Sequence, residues 1–315
     1  TVTNNIDING TATAVAAAVA DVNTFSGTPT ATLTSAHDLA ELKAINNALS
    51  GTLTLNDYTV ALNGSSADVA AALSGTLAAQ YTGTVSLNDT HTLAQLKTIN
   101  NQTNNTITLT SYGEALSGST ADVKAALDGT FASAYTGNVT LDDANGTNIA
   151  ATDITTIEGD TAGTVTVSNN INIQGTATAV AAAVADVNTF TDTPTAELSS
   201  NHDLAELVAI NNALSGTLTL NSYAVALSGS AADVKAALAG TFAAAYTGNV
   251  TLDDADNADI QAADITTIEG DTSGTVTVSN NINLQGTATA VAAAVADVNT
   301  FSGTPTAELS SAHDL

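Results

Sequence analysis

Four histidines are the side chains best suited to proton transfer: His37, His91, His202 and His313. Three of them share one context, His37-Asp38-Leu39, His202-Asp203-Leu204 and His313-Asp314-Leu315. A His–Asp neighbour pair resembles half of a catalytic triad. No nucleophile motif accompanies it, because none of the many serines sits in a G-x-S-x-G elbow. The reading of these histidines is therefore a residue in the first turn of a helix. Carboxylates are numerous but scattered by repeat, whereas an enzyme usually shows one irregular site. No catalytic residue is assigned, and the chain is expected not to be an enzyme. A polysaccharide-active β-solenoid is the enzymatic alternative, but such clefts carry Arg, Lys and exposed aromatics, which are scarce here.

Two turns are rich in hard oxygen donors. One is LDDANGTN, with Asp142, Asp143, Asn145 and Asn148; the other is LDDADNAD, with Asp253, Asp254, Asp256 and Asp259. IEGDT turns follow each, with Glu158 and Asp160, then Glu269 and Asp271. Calcium takes six to eight such oxygens. The spacing matches neither an EF-hand loop nor a calcium nonapeptide, and solvated Asx turns are the competing reading. Ca²⁺ is the only cofactor considered.

A third pattern is Thr-x-Thr. Thr52/Thr54, Thr106/Thr108, Thr164/Thr166, Thr217/Thr219 and Thr275/Thr277 alternate with Leu, Val or Ile, so each pair projects to one strand face. Such an array could bind ice or glycans, or pack against a second copy of the chain. Ser86, Asn138 and Asn249, and Pro29, Pro194 and Pro305, interrupt it.

The elements that carry these residues are repeated. GTATAVAAAVADVNTF occurs unchanged at Gly10–Phe25, Gly175–Phe190 and Gly286–Phe301. YTGTVSLND at Tyr81 returns as YTGNVTLDD at Tyr135, 54 residues later. The array divides into blocks 1–165, which holds one additional 54-residue pair of repeats, then 166–276, then a partial 277–315. A fixed-period array is built of stacked supersecondary modules. Both ends fall inside repeats, so the expectation is a window cut from a longer chain.

Each repeat opens with a strand signal of the form G/N/D-T-x-T-x. There are eleven, starting at Gly27, Gly51, Gly83, Asn105, Gly137, Gly163, Asp192, Gly216, Gly248, Gly274 and Gly303. A helix follows: Leu39, Leu42 and Ile45 lie on one stripe, as do Val69 and Leu73. Capping boxes are expected at Ser35/Asp38, Ser65/Asp68, Ser119/Asp122, Ser200/Asp203 and Ser230/Asp233. Gly51, Gly75, Gly129, Gly216 and Gly240, with the Asn46, Asn100 and Asn211 pairs, mark helix ends. In longer repeats a second short strand is expected at Thr59, Ala224 and Asn170. Tyr58, Tyr112 and Tyr223 share one repeat position, Tyr81, Tyr135 and Tyr246 another, and Phe25, Phe190 and Phe301 a third; all read as plugs between layers. One strand and one helix per coil predicts an α/β solenoid of right-handed coils with a parallel β-ladder. A β-helix with helical insertions is the alternative.

Composition narrows the partners. The chain has 31 acidic residues against four basic ones, a net charge of −27. That charge argues against nucleic acid or anionic membrane. With no Cys, disulfides and thiolate metal sites are excluded. No apolar run is long enough for a membrane span. The apolar fraction of 44%, in strict register, speaks for a folded chain.

DLAELKAINNALSGTLTL (Asp38–Leu55), with its copies from His91 and Asp203, resembles the tandem arrays of giant bacterial, cyanobacterial-type extracellular surface and adhesin proteins. The resemblance implies export, attachment to a prokaryotic cell surface or fibre formation, and often calcium. The expected function is structural: a filament, sheath, surface layer or adhesin stalk, with the chain itself, and cell-surface glycans, as partners.

Overall fold

The computed structural model describes residues 1–312, so His313 lies outside the described residues. Short strands alternate with helices throughout. The helices are α1 (Ala12–Ala20), α2 (Leu39–Ala48), α3 (Ser66–Leu73), α4 (Leu93–Gln102), α5 (Thr120–Leu127) and α6 (Ala151–Asp160). They continue as α7 (Ala177–Asp186), α8 (Leu204–Ala213), α9 (Ala231–Leu238), α10 (Ala262–Asp271) and α11 (Ala288–Asp297). None is long and apolar enough to cross a membrane among the described residues. The chain forms two compact units, residues 1–142 with 156–166, and residues 143–155 with the chain from 167 onward.

In the first unit, α1 to α5 pack in sequence order, each against the next. Strand Asp7–Gly10 pairs with Thr30–Leu33, and that strand with Leu53–Thr54. Leu62–Gly64, Val85–Leu87 and Ile107–Thr108 form a second sheet, and Leu116–Gly118 pairs with Val139–Leu141. In the second unit α7 to α11 pack in order likewise. Its sheets run from Asn148–Ala150 through Asn172–Gly175, Thr195–Leu198 and Thr217–Thr219 to Thr241–Phe242; from Leu227–Gly229 to Thr300–Phe301; and from Asp259–Gln261 to Thr306–Leu309. These pairings are parallel, and partners lie from 22 residues apart (Ala31 and Leu53) to 26 (Val250 and Val276). Parallel strands need a crossover between them, and here the helix of each repeat supplies it.

All eleven strand signals carry a strand. Their alternation places the apolar residue inside: Leu53, Val85, Ile107, Val139, Val165, Leu218, Val250 and Val276 are all buried. The helices close the core from the other side with Leu42 and Ile45, Leu96 and Ile99, Leu207 and Ile210. Each such side chain contributes about 1.5–3 kcal/mol by leaving water.

The single ladder expected from one strand per coil is not what forms. Strands distribute over six separate sheets of three to five strands among the described residues. The cause is local. Leu55 N donates to the Tyr58 hydroxyl at 3.2 Å, Leu109 N to Tyr112 at 3.1 Å and Leu220 N to Tyr223 at 3.2 Å. That amide is no longer offered to a neighbouring strand, so the strand stops and a second begins after the turn. These tyrosines are half-buried strand terminators rather than plugs. The second strands lie at Leu62–Gly64, Asn172–Gly175 and Leu227–Gly229, two to three residues later than expected.

Two capping assignments change. Ser65, Ser119 and Ser230 do cap α3, α5 and α9. The N-cap of α2 is instead Asp38, boxed with Glu41; that of α8 is Asp203, boxed with Glu206; Thr92 and Gln95 do the same for α4. Ser35 and Ser200 serve the previous repeat: their hydroxyls accept from Ala12 N and Ala177 N, the first residues of α1 and α7, at 3.1 and 3.0 Å. Helix starts have orphan N–H groups, and here the next repeat satisfies one.

The five glycines at helix ends adopt no left-handed conformation. They are sites of close approach. A Cβ on Gly51 or Gly216 would lie 2.3 or 2.2 Å from the carbonyl oxygen of Pro29 or Pro194. On Gly75, Gly129 or Gly240 it would strike Oδ1 of Asn46, Asn100 or Asn211 at 2.3 Å or less. Those asparagines sit inside α2, α4 and α8, and their Nδ2 groups donate to the carbonyls of Ala72, Ala126 and Ala237 at the end of the next helix.

Candidate functional site

Three of the four histidines occupy one recurring arrangement. His37 and His202 lie immediately before the N-caps Asp38 and Asp203 of α2 and α8, and His91 immediately before Thr92 of α4. They precede the helix rather than belonging to its first turn. That position turns the ring inward, and His37, His91 and His202 are only 4%, 6% and 4% exposed. Each meets the tyrosine that opens a YTG motif 44 residues later. His37 Nε2 lies 3.0 Å from the Tyr81 hydroxyl, His91 Nε2 3.1 Å from Tyr135 and His202 Nε2 3.0 Å from Tyr246. The ring centroids are 5.9 Å apart in all three pairs.

The hydroxyl continues the chain of bonds. Tyr81 donates to the Val60 carbonyl at 2.6 Å, Tyr135 to Glu114 at 2.7 Å and Tyr246 to Val225 at 2.7 Å. A phenol has one proton, and the carbonyl takes it. The hydroxyl can then only accept from histidine, so Nε2 carries the imidazole proton. Nδ1 keeps a bare lone pair, buried and without a partner in all three copies.

The glycine of YTG belongs to the same site. A Cβ on Gly83, Gly137 or Gly248 would lie 2.0, 1.9 or 1.9 Å from the very carbonyl oxygen that receives the tyrosine proton. The tyrosine and the glycine two residues on thus grip one carbonyl of the preceding repeat.

The electrostatics fix the protonation states. Burial pushes His37 below the usual imidazole value; Asp57, Glu41 and Asp38 pull it back up only in part. Burial likewise lowers His91 against Glu114 and Asp89, and His202 against Glu206 and Asp203. Burial raises the phenols of Tyr81, Tyr135 and Tyr246, with Asp57 adding to the first and Glu114 to the second. Neutral imidazole and neutral phenol at pH 7 make a rigid structural relay. It ties the entry of one helix to a strand of the next repeat. Tyr81→Phe should strand the His37 N–H and the Val60 carbonyl, costing about 1–3 kcal/mol. Tyr112→Phe, half-exposed, should cost less in the same denaturant titration.

Five of the residues read as calcium ligands bond between repeats. Asp142 accepts from Ser117 and Asp253 from Ser228, at 3.2 and 3.1 Å. Asp254 caps α9 through Ala231 N at 3.0 Å. Asn145 and Asp256 accept from Asn170 N and Asn281 N at 3.0 and 2.9 Å. Asp143 is buried, 8% exposed. Glu158 and Asp160 lie in the last turn of α6, Glu269 and Asp271 in that of α10. Burial raises the carboxyls of Asp160 and Asp271, with Asp128 adding to the first. Among the described residues, no group of three or more His, Cys, Asp or Glu side chains is placed to hold a metal ion.

The threonines read as one interaction face are not uniformly presented. Thr52, Thr54, Thr108, Thr164, Thr217, Thr219 and Thr275 are exposed. Thr106, Thr166 and Thr277 are half-buried. Thr166 is the middle residue of strand Val165–Val167, between two fully buried valines. The row is also divided among sheets. Thr54 belongs to the sheet starting at Asp7, Thr108 to the one at Leu62, Thr166 to the one at Leu116, Thr219 to the one at Asn148 and Thr277 to the one at Leu227. The expected Thr-x-Thr face is thus divided, among the described residues, into short threonine rows on separate sheets. Lys43, Lys97 and Lys235 pair with Asp68, Asp122 and Asp264 at partly exposed positions.

The histidine–tyrosine relay escapes a reading by local motif, because its members sit in different repeats. One signal was available: the same 44-residue separation at 37/81, 91/135 and 202/246. No family model, curated protein or solved structure matches this chain.

Proposed function

We propose that this chain is a non-enzymatic structural protein of a prokaryotic cell surface, secreted and self-associating. Each compact unit is, in this reading, a segment of right-handed α/β solenoid. The observation that supports it most is the use made of the polar side chains. His37, His91 and His202, the capping Ser35 and Ser200, and Asp254 all bond to atoms in another repeat. Residues able to do chemistry are engaged in stacking, as a mechanical or spacing element requires.

Identical surfaces repeated along a chain favour lateral contact between copies, which would build a filament, sheath, surface layer or adhesin stalk. The exposed threonines are the surface for that contact, with cell-surface glycans as a second partner. At a net charge of −27, copies repel unless cations screen them. Calcium is accordingly proposed as a general counter-ion of assembly. Purified chain should therefore pellet on centrifugation with millimolar calcium and remain in the supernatant with chelator. A chain that stays monomeric at every calcium concentration contradicts the reading.

A further inference from the structure

The chain has three Asn–Gly pairs, Asn9–Gly10, Asn63–Gly64 and Asn145–Gly146. The first two lie in parallel-paired strands, Asp7–Gly10 and Leu62–Gly64. Asn145–Gly146 alone lies in an exposed turn. Gly146 has φ of +79°, and a Cβ there would meet nothing within 4 Å. Glycine leaves its own amide nitrogen unhindered. We propose that Asn145 is a site of spontaneous deamidation in the folded protein, converted to aspartate or isoaspartate.

The step balances with water alone. The Gly146 amide nitrogen gives its proton to solvent and bonds to Asn145 Cγ. The bond from Cγ to the side-chain nitrogen breaks, and ammonia leaves. The succinimide so formed takes up water at either carbonyl, giving aspartate or isoaspartate. Negative charge develops on Asn145 Oδ1 as the ring closes. Asn170 N already donates to that oxygen at 3.0 Å, which is where a preorganised donor lowers such a barrier. Gly146 N donates to the Asn170 carbonyl at 2.7 Å, and this bond is given up with the proton. In the two strand pairs, the extended backbone carries the next amide away from the asparagine side chain.

The second copy of the turn indicates that the fold accepts the aspartate product. There the pair is Asp256–Asn257, with Asn257 at φ +63°. Asp256 Oδ1 accepts from Asn281 N at 2.9 Å, and Asn257 N donates to the Asn281 carbonyl at 2.5 Å. Deamidation at Asn145 thus rebuilds, with aspartate, an arrangement the chain already uses.

The test is site-resolved mass spectrometry of folded protein held at mildly alkaline pH, with fragmentation that separates aspartate from isoaspartate. Conversion at Asn145 should outpace Asn9 and Asn63 several-fold. Gly146→Asn, which copies the second turn, should slow it several-fold. Asn145→Asp should keep the unfolding midpoint of the parent chain. Asn145 remaining an amide, conversion no faster than at Asn63, or a lowered midpoint in Asn145→Asp would overturn the proposal.

Discussion

Gly137→Ala should be among the most damaging single substitutions in the chain, costing about 3 kcal/mol or more. Its Cβ would lie 1.9 Å from the Glu114 carbonyl oxygen and 2.8 Å from Cε1 of Tyr135. Neither neighbour can give way. The carbonyl is backbone and accepts from the Tyr135 hydroxyl at 2.7 Å. The ring is 1% exposed, and its hydroxyl is also held by His91. Relief therefore requires separating two repeats, which breaks the relay with them. A unit of this size loses about 2–4 °C in melting midpoint per kcal/mol, so the midpoint should fall by about 6–12 °C. Gly159→Ala is the control, since a Cβ there meets nothing within 4 Å. Thermal melts that leave Gly137→Ala level with the control would remove the close approach from the account.

The second large effect is acid sensitivity. His37, His91 and His202 are each held below their ordinary value, by burial first. The folded state then binds fewer protons than the unfolded chain just below the ordinary imidazole value of about 6.5. Stability rises with pH wherever the unfolded state binds more protons. The contribution of each relay is accordingly complete above that value and is lost as pH falls through the lower folded value. Each relay can contribute a slope of up to about 1.4 kcal/mol per pH unit in that window. Asp160 and Asp271, whose carboxyls are raised, act in the opposite sense at lower pH, above the ordinary carboxylate range. The midpoint of unfolding should be flat near pH 8 and decline below about 6.5. In a His37→Gln, His91→Gln, His202→Gln variant it should start lower, because packing is altered, and should lose that decline. A parallel decline in both proteins would assign the acid sensitivity to other groups.

The strands were legible because Thr-x-Thr alternation reports a face at every second residue, and all eleven signals hold. The helices were legible from Leu42 and Ile45, or Val69 and Leu73, at helical spacing. The features not legible are those that depend on where a side chain's hydrogen bond goes, most often into another repeat. Ser35 reads locally as the cap of α2, yet it accepts from the start of α1. Tyr58 reads as a core plug, yet its hydroxyl takes the Leu55 N–H and ends the strand, which divides the ladder into separate sheets. Thr54 and Thr166 read as members of one face for the same reason, yet they stand on different sheets. The acidic turn at Asp254 is plain in the sequence, whereas the bond from Ala231 N at the start of α9 to its carboxylate is not. In a stacked array, a side chain's partner is set by the stacking offset, and local spacing alone does not encode that offset. His37 and Tyr81 show that the offset can be recovered when the array is long enough to repeat it.

The most direct test of the proposed structural role is negative-stain electron microscopy of the purified chain with calcium, and again after chelation. Uniform fibres or sheets are expected with calcium and should disperse when it is removed. Discrete particles of a single size under both conditions, across the full range of protein concentration, would contradict that role.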